Sequence, residues 1–406
     1  MTAKATKVDV IIVGAGMAGL TLANLLAKQG KSLVMIDRVL PEKYDPAGTW
    51  DVRVTAVSPG SKAIFKFAGI WSDVQAKRVS EFDTMVVWDE ASTARINFHA
   101  RDVHQPVLGY IVENRLIQSS LYNSLQDISN IQWYVPGSVT GVAHCDDVIE
   151  VTLDNNEVLR AELLVGADGS QSVVRDLAEI SYVEVPYQQL GIVANVKAER
   201  PHQRTAWQRF LKTGPLALLP TGIGKENHEC SIVWSAENEY AMQLMQMDEE
   251  AFSKAVTKAS NSQLGNLTVM SERACFPLHS GQAGNLVRPR IALVGDAAHT
   301  LHPLAGQGAN LGFTDVAVIA HILEETKRDI GSLRVLRKYE RARAGEIRVM
   351  QHAMDAFVAV YGSSFKPLVA ARSIALNMAE HTPSMKRFFM RHAMGLNSGR
   401  PVYSDR

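Results

Sequence analysis

"VDVIIVGAGMAGLTLANLLAKQGKSLVMIDR" occupies residues 8–38, and its punctuation decides the fold. Val8 to Val13 is an apolar run of strand length. Gly14, Ala15, Gly16, Met17, Ala18 and Gly19 follow as a glycine turn. Leu20, Ala23, Leu25, Leu26 and Ala27 recur at helical spacing, and Gly30 can end that helix. A second strand over 32–36 leads to Asp37 and Arg38. In a strand–turn–helix–strand unit, Gly14 permits the tight turn. Gly16 admits a pyrophosphate to the backbone, and Gly19 lets the helix pack closely. The helix N-terminus offers free N–H groups to phosphate. Asp37 is placed to accept from a ribose hydroxyl. The unit predicts a dinucleotide site and leaves open whether the ligand is FAD or NAD(P).

Working outward, the bulk of the chain is that of a globular protein of several domains. It has 406 residues, 46% hydrophobic and 21% charged. Lys+Arg and Asp+Glu are both 42, so nothing points to nucleic acid. Cys145, Cys230 and Cys275 form neither a CxxC pair nor an even set, which argues against a disulfide framework or zinc site and fits a reducing compartment. "MTAKATK" is not a secretory signal pattern. No run of about 18 apolar residues predicts a membrane span.

Two further stretches are chemically dense. "AELLVGADGSQSVVR" (161–175) is a strand ending in a turn with Asp168. "LVGDAAHTLHPLAGQGANLGFTD" (293–315) places Gly295 and Asp296 at a strand end, then Gly306, Gln307, Gly308 and Asn310 before a helix-like run. This stretch resembles the third motif of a flavoprotein family in which the glycine–aspartate pair holds the ribityl chain of FAD, and Asp296 can accept from its hydroxyls. The glycine turn lets backbone lie against a flat ring, stiffened by Pro303, and the following helix aims its positive end at that ring. A metal reading of His299 and His302 lacks enough neighbouring acids and histidines, so no metal is expected. Turn chemistry accounts for both.

These three motifs, in this order, resemble those of the flavoprotein group A aromatic hydroxylases. The resemblance spans residues 8 to about 323. "DVRVTAVSPGS" (51–61), "GYIVENRLIQSSL" (109–121), "GPLALLP" (214–220), "HPLAGQGANLGF" (302–313), "YERAR" (339–343) and "HAMGLN" (392–397) resemble the ubiquinone-biosynthesis branch. Within that branch the similarity is greatest to the bacterial polyprenylphenol C5 hydroxylases. The resemblance implies FAD as cofactor and NAD(P)H as reductant. It implies O2 and a polyprenylated phenol as substrates, with hydroxylation through a flavin C4a-hydroperoxide. Arg53 is implied near the flavin and Arg115 as a flavin contact, while Asn114 stands where other group members have arginine. No general base identifies itself. A hydroxylase of a small soluble aromatic acid and a non-hydroxylating flavoprotein remain as alternatives.

The expected fold class is α/β: a discontinuous Rossmann-like FAD-binding domain (1–75, 105–180, 270–330), a β-rich substrate insertion (76–104, 181–269) and a helical C-terminus (331–406). "TMVVWDE", "ARINFHA", "LGIVANVKA" and "ECSIVWS" alternate as strands should. Residues 361–406 carry seven Lys/Arg against two Asp/Glu, with Phe388, Phe389 and Met390 clustered. That end is expected to pack on the body. The alternative is a peripheral contact with the inner membrane from a cytoplasmic location. Homo-oligomers and other ubiquinone-biosynthesis proteins are further expected partners.

Overall fold

The computed structural model describes residues 7–92, 94–222, 227–302, 306–362, 372, 374, 378 and 380–396. Pro303 and the end of "HAMGLN" lie outside them.

Strand Lys7–Val13 lies at the centre of a mostly parallel sheet, with Leu33–Ile36 on one side and Val158–Gly166 on the other. Ile131–Tyr134 and Ile291–Leu293 extend it in parallel. Val10, Ile11, Ile12, Leu33, Met35 and Ile36 are all fully buried, which is why these strands are runs of apolar residues without alternation. The chain leaves the central strand toward one neighbour and returns later on the other. The glycine turn therefore sits at a topological switch point, where the crevice for a ligand opens.

A second, larger sheet is built from alternating strands. All four stretches expected there are strands: Thr84–Asp89, Arg95–His99, Tyr182–Ala198 and Glu229–Glu237. Gly214–Thr221 and Thr205–Leu211 lie between them in the order of the sheet. Two boundaries differ from expectation. Ala274–Ala283 pairs along Tyr182–Ala198, so the insertion runs to Ala283 and does not stop at 269. Val79–Phe82 pairs with Gly109–Glu113 and not with the large sheet; with Val54–Val57 these form a separate three-stranded sheet between the two bodies. Pairing partners distant in sequence set both boundaries, and local composition does not encode them.

The C-terminal end is helical as expected. Leu333–Gly362 is one long helix, and Pro383–Ala393 is another. Met390 and Met394 are buried in a cluster with Phe82, Val103, Ile111 and Ala206. The last helix thus packs on the body, while Phe388 and Phe389 on its outer side are 61% and 54% exposed. Among the described residues no helix is long and apolar enough to cross a membrane.

Candidate active site

The three motifs meet at the crevice. Gly14 has φ +110°, and a Cβ there would lie 2.3 Å from the Ala167 carbonyl oxygen. The first motif is thus pressed against the second, and only glycine fits. Gly295 has φ +59°, and its Cβ would meet the Ala18 side chain at 3.3 Å, which brings the third motif against the first. In contrast, a Cβ on Gly16 or Gly308 would meet nothing within 4 Å among the described residues outside its own neighbours and helix backbone. These two glycines face open space, as a backbone cradle for a cofactor must.

Two helices start at this space. Met17–Lys28 begins at Gly16, and Gln307–Glu325 begins at Gly306; neither has a side-chain cap. Elsewhere Ser58, Ser172 and Asp248 cap their helices with a side-chain oxygen. The start of the first helix suits the phosphates of a dinucleotide, and the positive end of the second suits its ring edge.

Asp37 accepts hydrogen bonds from the N–H groups of Ala15, Arg38 and Val39, so the acid closes on the glycine turn. Arg38 itself is exposed. Asp296 is open to the crevice, and no described residue hydrogen-bonds its carboxylate. Protein still surrounds it closely enough that desolvation pushes its carboxyl up, against the opposing pull of His299, His279 and Arg53. Asp296 and Arg53 therefore share one region. Asp51 ties the Arg53 and Arg115 backbones side by side by accepting from both N–H groups. The Arg115 side chain turns outward to Glu42 at 3.2 Å, both groups being largely exposed. That direction does not support the expected contact with flavin.

Two other expected contacts act as scaffold. The Asp168 carboxylate accepts from the Ser172 hydroxyl and the Val174 N–H, which fixes the turn before a short helix. The Asn310 amide accepts from Ser58 N–H and Ser61 Oγ and donates to the Ala56 and Gly306 carbonyls. Three of its bonds join residues 56–61 to the third motif and the fourth closes on Gly306 within it, so the side chain positions the glycine turn and has no capacity left for a cofactor.

Sequence reasoning missed the buried group beneath the third motif. Asp315 accepts from the Gly295 N–H at 3.1 Å and from Arg343 Nε at 2.7 Å, and lies 2.5 Å from His299 Nε2. Burial alone would push the Asp315 carboxyl up, but His299 and Arg343 outweigh it and hold it below the usual carboxylate range. Tyr339 donates to the Leu293 carbonyl at 2.8 Å. "YERAR" is thereby a clamp: one helical turn holds the strand end and the glycine–aspartate turn together. The signal available beforehand was a tyrosine and an arginine four residues apart on one helix face.

Below the large sheet lies a cavity of about 190 Å³. Arg53, Asn114 and Gly306 reach it from the motif side. The sheet side presents Met85, Ala206, Ala217, Leu219 and Val233, with Gln208 among them. The crevice and this cavity share Gly306 and Arg53, so a flat ring at the glycine turn would form the cavity floor.

Comparison with known proteins agrees with this geometry. The family model described as "FAD binding domain" matches residues 7–355. The Escherichia coli 3-demethoxyubiquinol 3-hydroxylase is 36% identical, over 96% of this chain and 98% of that one. The mitochondrial ubiquinone biosynthesis monooxygenase COQ6 of Danio rerio is 34% identical, over 95% and 89%. Ubiquinone hydroxylase UbiL of Rhodospirillum rubrum is 34% identical, over 97% and 91%. The chain belongs to the family of FAD-dependent ubiquinone-biosynthesis hydroxylases. This flavoprotein monooxygenase also shares its fold with PqsL of Pseudomonas aeruginosa (TM-score 0.76, 22% identity, covering 90% of this chain and 100% of that one). Klebsiella pneumoniae HpxO complexed with FAD and uric acid is similar at TM-score 0.74 and 16% identity, covering 97% of each chain. The open glycine faces, the uncapped helices and the unpartnered Asp296 carboxylate fit the FAD that membership in the family brings.

Proposed function

We propose that this monooxygenase hydroxylates the aromatic ring of a polyprenylphenol or benzoquinol intermediate of ubiquinone biosynthesis. The observation that carries this reading is the apolar sheet face over the cavity. A small aromatic acid would need a buried cation to offset its carboxylate. The cavity's arginine, Arg53, is exposed and shares its field with Asp296. An apolar wall suits a prenylated ring, because each buried CH2 contributes about 0.8 kcal/mol.

In this reading the FAD pyrophosphate lies on the Gly14–Gly19 turn, with Asp37 on the ribose. Asp296 binds the ribityl hydroxyls, and the ring edge meets the turn at Gly306, Gln307 and Gly308. When bound and reduced by NAD(P)H or an equivalent donor, FAD would supply the two electrons that activate O2, one oxygen atom going to the ring and the other to water. The chain's own residues bind and aim the two rings and keep water away. The Phe388–Phe389 pair and Arg387 face outward on the helix that backs the cavity wall, which suits contact with an anionic membrane holding the substrate.

Quinone profiling of a strain lacking the protein tests the function. A prenylated ring lacking one oxygen should accumulate, and its structure separates C5, favoured by the sequence words, from the position in the name of the Escherichia coli relative. Unchanged ubiquinone, with no accumulated intermediate, would overturn the reading.

A further inference from the structure

Among the described sheet residues that line the cavity, Gln208 is the one with a side-chain amide; apart from the indole N–H of Trp207 the others are apolar. Alternate residues of Thr205–Leu211 point to one side, so Ala206 and Gln208 share a face. The register sets Gln208 between Val87 and Ala217, and Ala217 beside Val233. Ala206, Gln208, Ala217 and Val233 all line the cavity. Gln208 is 6% exposed, and among the described residues its side-chain amide has no hydrogen-bond partner. A buried amide holds two donors and a carbonyl with two lone pairs, and such groups are normally paired. Asn310 shows the settled case in this same molecule, with four protein bonds.

The opposite wall carries a second amide. The Thr55 hydroxyl donates to Asn114 Oδ1 at 2.6 Å, which fixes that side chain. A flat ring entering the cavity thus lies between Gln208 on the sheet side and Asn114 on the motif side. Tail burial is non-directional and cannot choose which ring edge faces the flavin. A directional bond to a ring oxygen can.

We propose that the Gln208 side-chain carbonyl accepts a hydrogen bond from the phenolic O–H of the substrate ring and so determines which ring carbon is presented for hydroxylation. This rests on the ring-hydroxylase reading above. It makes Gln208 a specificity residue for an oxygenated aromatic ring.

The test uses the FAD-loaded full chain, wild type and Gln208→Met, which keeps length and removes the acceptor. Gln208→Leu serves if the first variant does not retain FAD. Binding of a prenylated phenol and of its methyl ether is read from the perturbation of flavin absorbance, without turnover. Wild type should prefer the phenol by on the order of 100-fold or more, because a site built to bond an O–H rejects the analogue lacking it. In Q208M the preference should fall to about threefold or less, since tail burial is common to both ligands. In a single turnover of chemically reduced enzyme with O2, wild type should give one ring isomer and Q208M a lower yield and mixed isomers. Conversion of the phenol by wild type reports on the function itself; the difference between wild type and variant reports on Gln208. A variant with undiminished phenol preference and an unchanged single isomer would overturn the assignment.

Discussion

At the scale of single residues, acids of the same type have separate tasks set by their surroundings. Asp296 faces the crevice with no hydrogen-bond partner among the described residues, so its removal should weaken FAD binding by on the order of 1–3 kcal/mol. Fluorescence titration of Asp296→Ala apoprotein with FAD measures this, and undiminished affinity would contradict the ribityl role. Asp37 closes on the Ala15 N–H at the far end of the crevice. Asp37→Ala should lower FAD affinity yet leave the absorbance of the flavin that remains bound unshifted. A shifted spectrum would place Asp37 beside the flavin ring. Asn310 differs again, because its four bonds are internal. Asn310→Ala removes four hydrogen bonds and leaves the buried Ser58 N–H without its acceptor, at a cost of about 1–3 kcal/mol. Its expected signature is a lowered Tm in apoprotein and holoenzyme alike.

At the scale of elements, the site is made by helix starts and strand ends brought together by close backbone contacts. The Gly14 contact with Ala167 allows no Cβ, so Gly14→Ala should fail to retain FAD when purified. The Asp315 cluster joins three elements: the strand-end turn, the helix Gln307–Glu325 and the helix Leu333–Gly362. Asp315→Asn leaves Arg343 buried without its full counter-charge, a change that costs about 3–5 kcal/mol. The pH dependence follows from the depressed carboxyl. Its stabilisation is present above the ordinary carboxylate value near ~3.9 and is lost as pH falls through the lower folded value. Thermal melts should show the D315N deficit at pH 7 shrinking below about pH 4. A deficit constant down to acid pH would mean that charge at Asp315 is not what holds the clamp.

At the scale of the whole molecule, two buried histidines bear on acid stability. Burial pushes His202 and His302 down to about 4. Each is neutral in the fold but protonates near ~6.5 when unfolded. Their stabilisation is full above the unfolded value and is lost as pH falls toward the folded one. Melting between these limits should therefore show uptake of up to about two protons on unfolding, and each His→Gln variant should remove close to one. The C-terminal helix offers the second test at this scale. If its outer aromatics meet lipid, Phe388→Ser with Phe389→Ser should abolish sedimentation with anionic vesicles while flavin content is kept. Wild-type protein that ignores such vesicles would rule out the membrane contact.

Much of this molecule was legible in one dimension. The glycine turn, its strands and Asp37 are adjacent in sequence, and short-range sterics dictate their form, so the nucleotide crevice followed from reading alone. The order of the three motifs and the alternating strands of the insertion were legible for the same reason. Other features depended on tertiary structure. Ala274–Ala283 joined the large sheet because of a partner some ninety residues earlier, a pairing no local pattern records. Asn310 stood in a motif that suggested a ligand contact, yet three of its four side-chain bonds go to Ala56, Ser58 and Ser61, which only folding brings near. Asp315 and Arg343, far from each other in the chain, became one buried pair. Gln208 looked like any polar residue in an alternating strand until the register set its amide between Val87 and Ala217 on the cavity wall. Local conformation is set by neighbours in sequence, but whether a polar group is paired depends on neighbours in space, and only the fold supplies those.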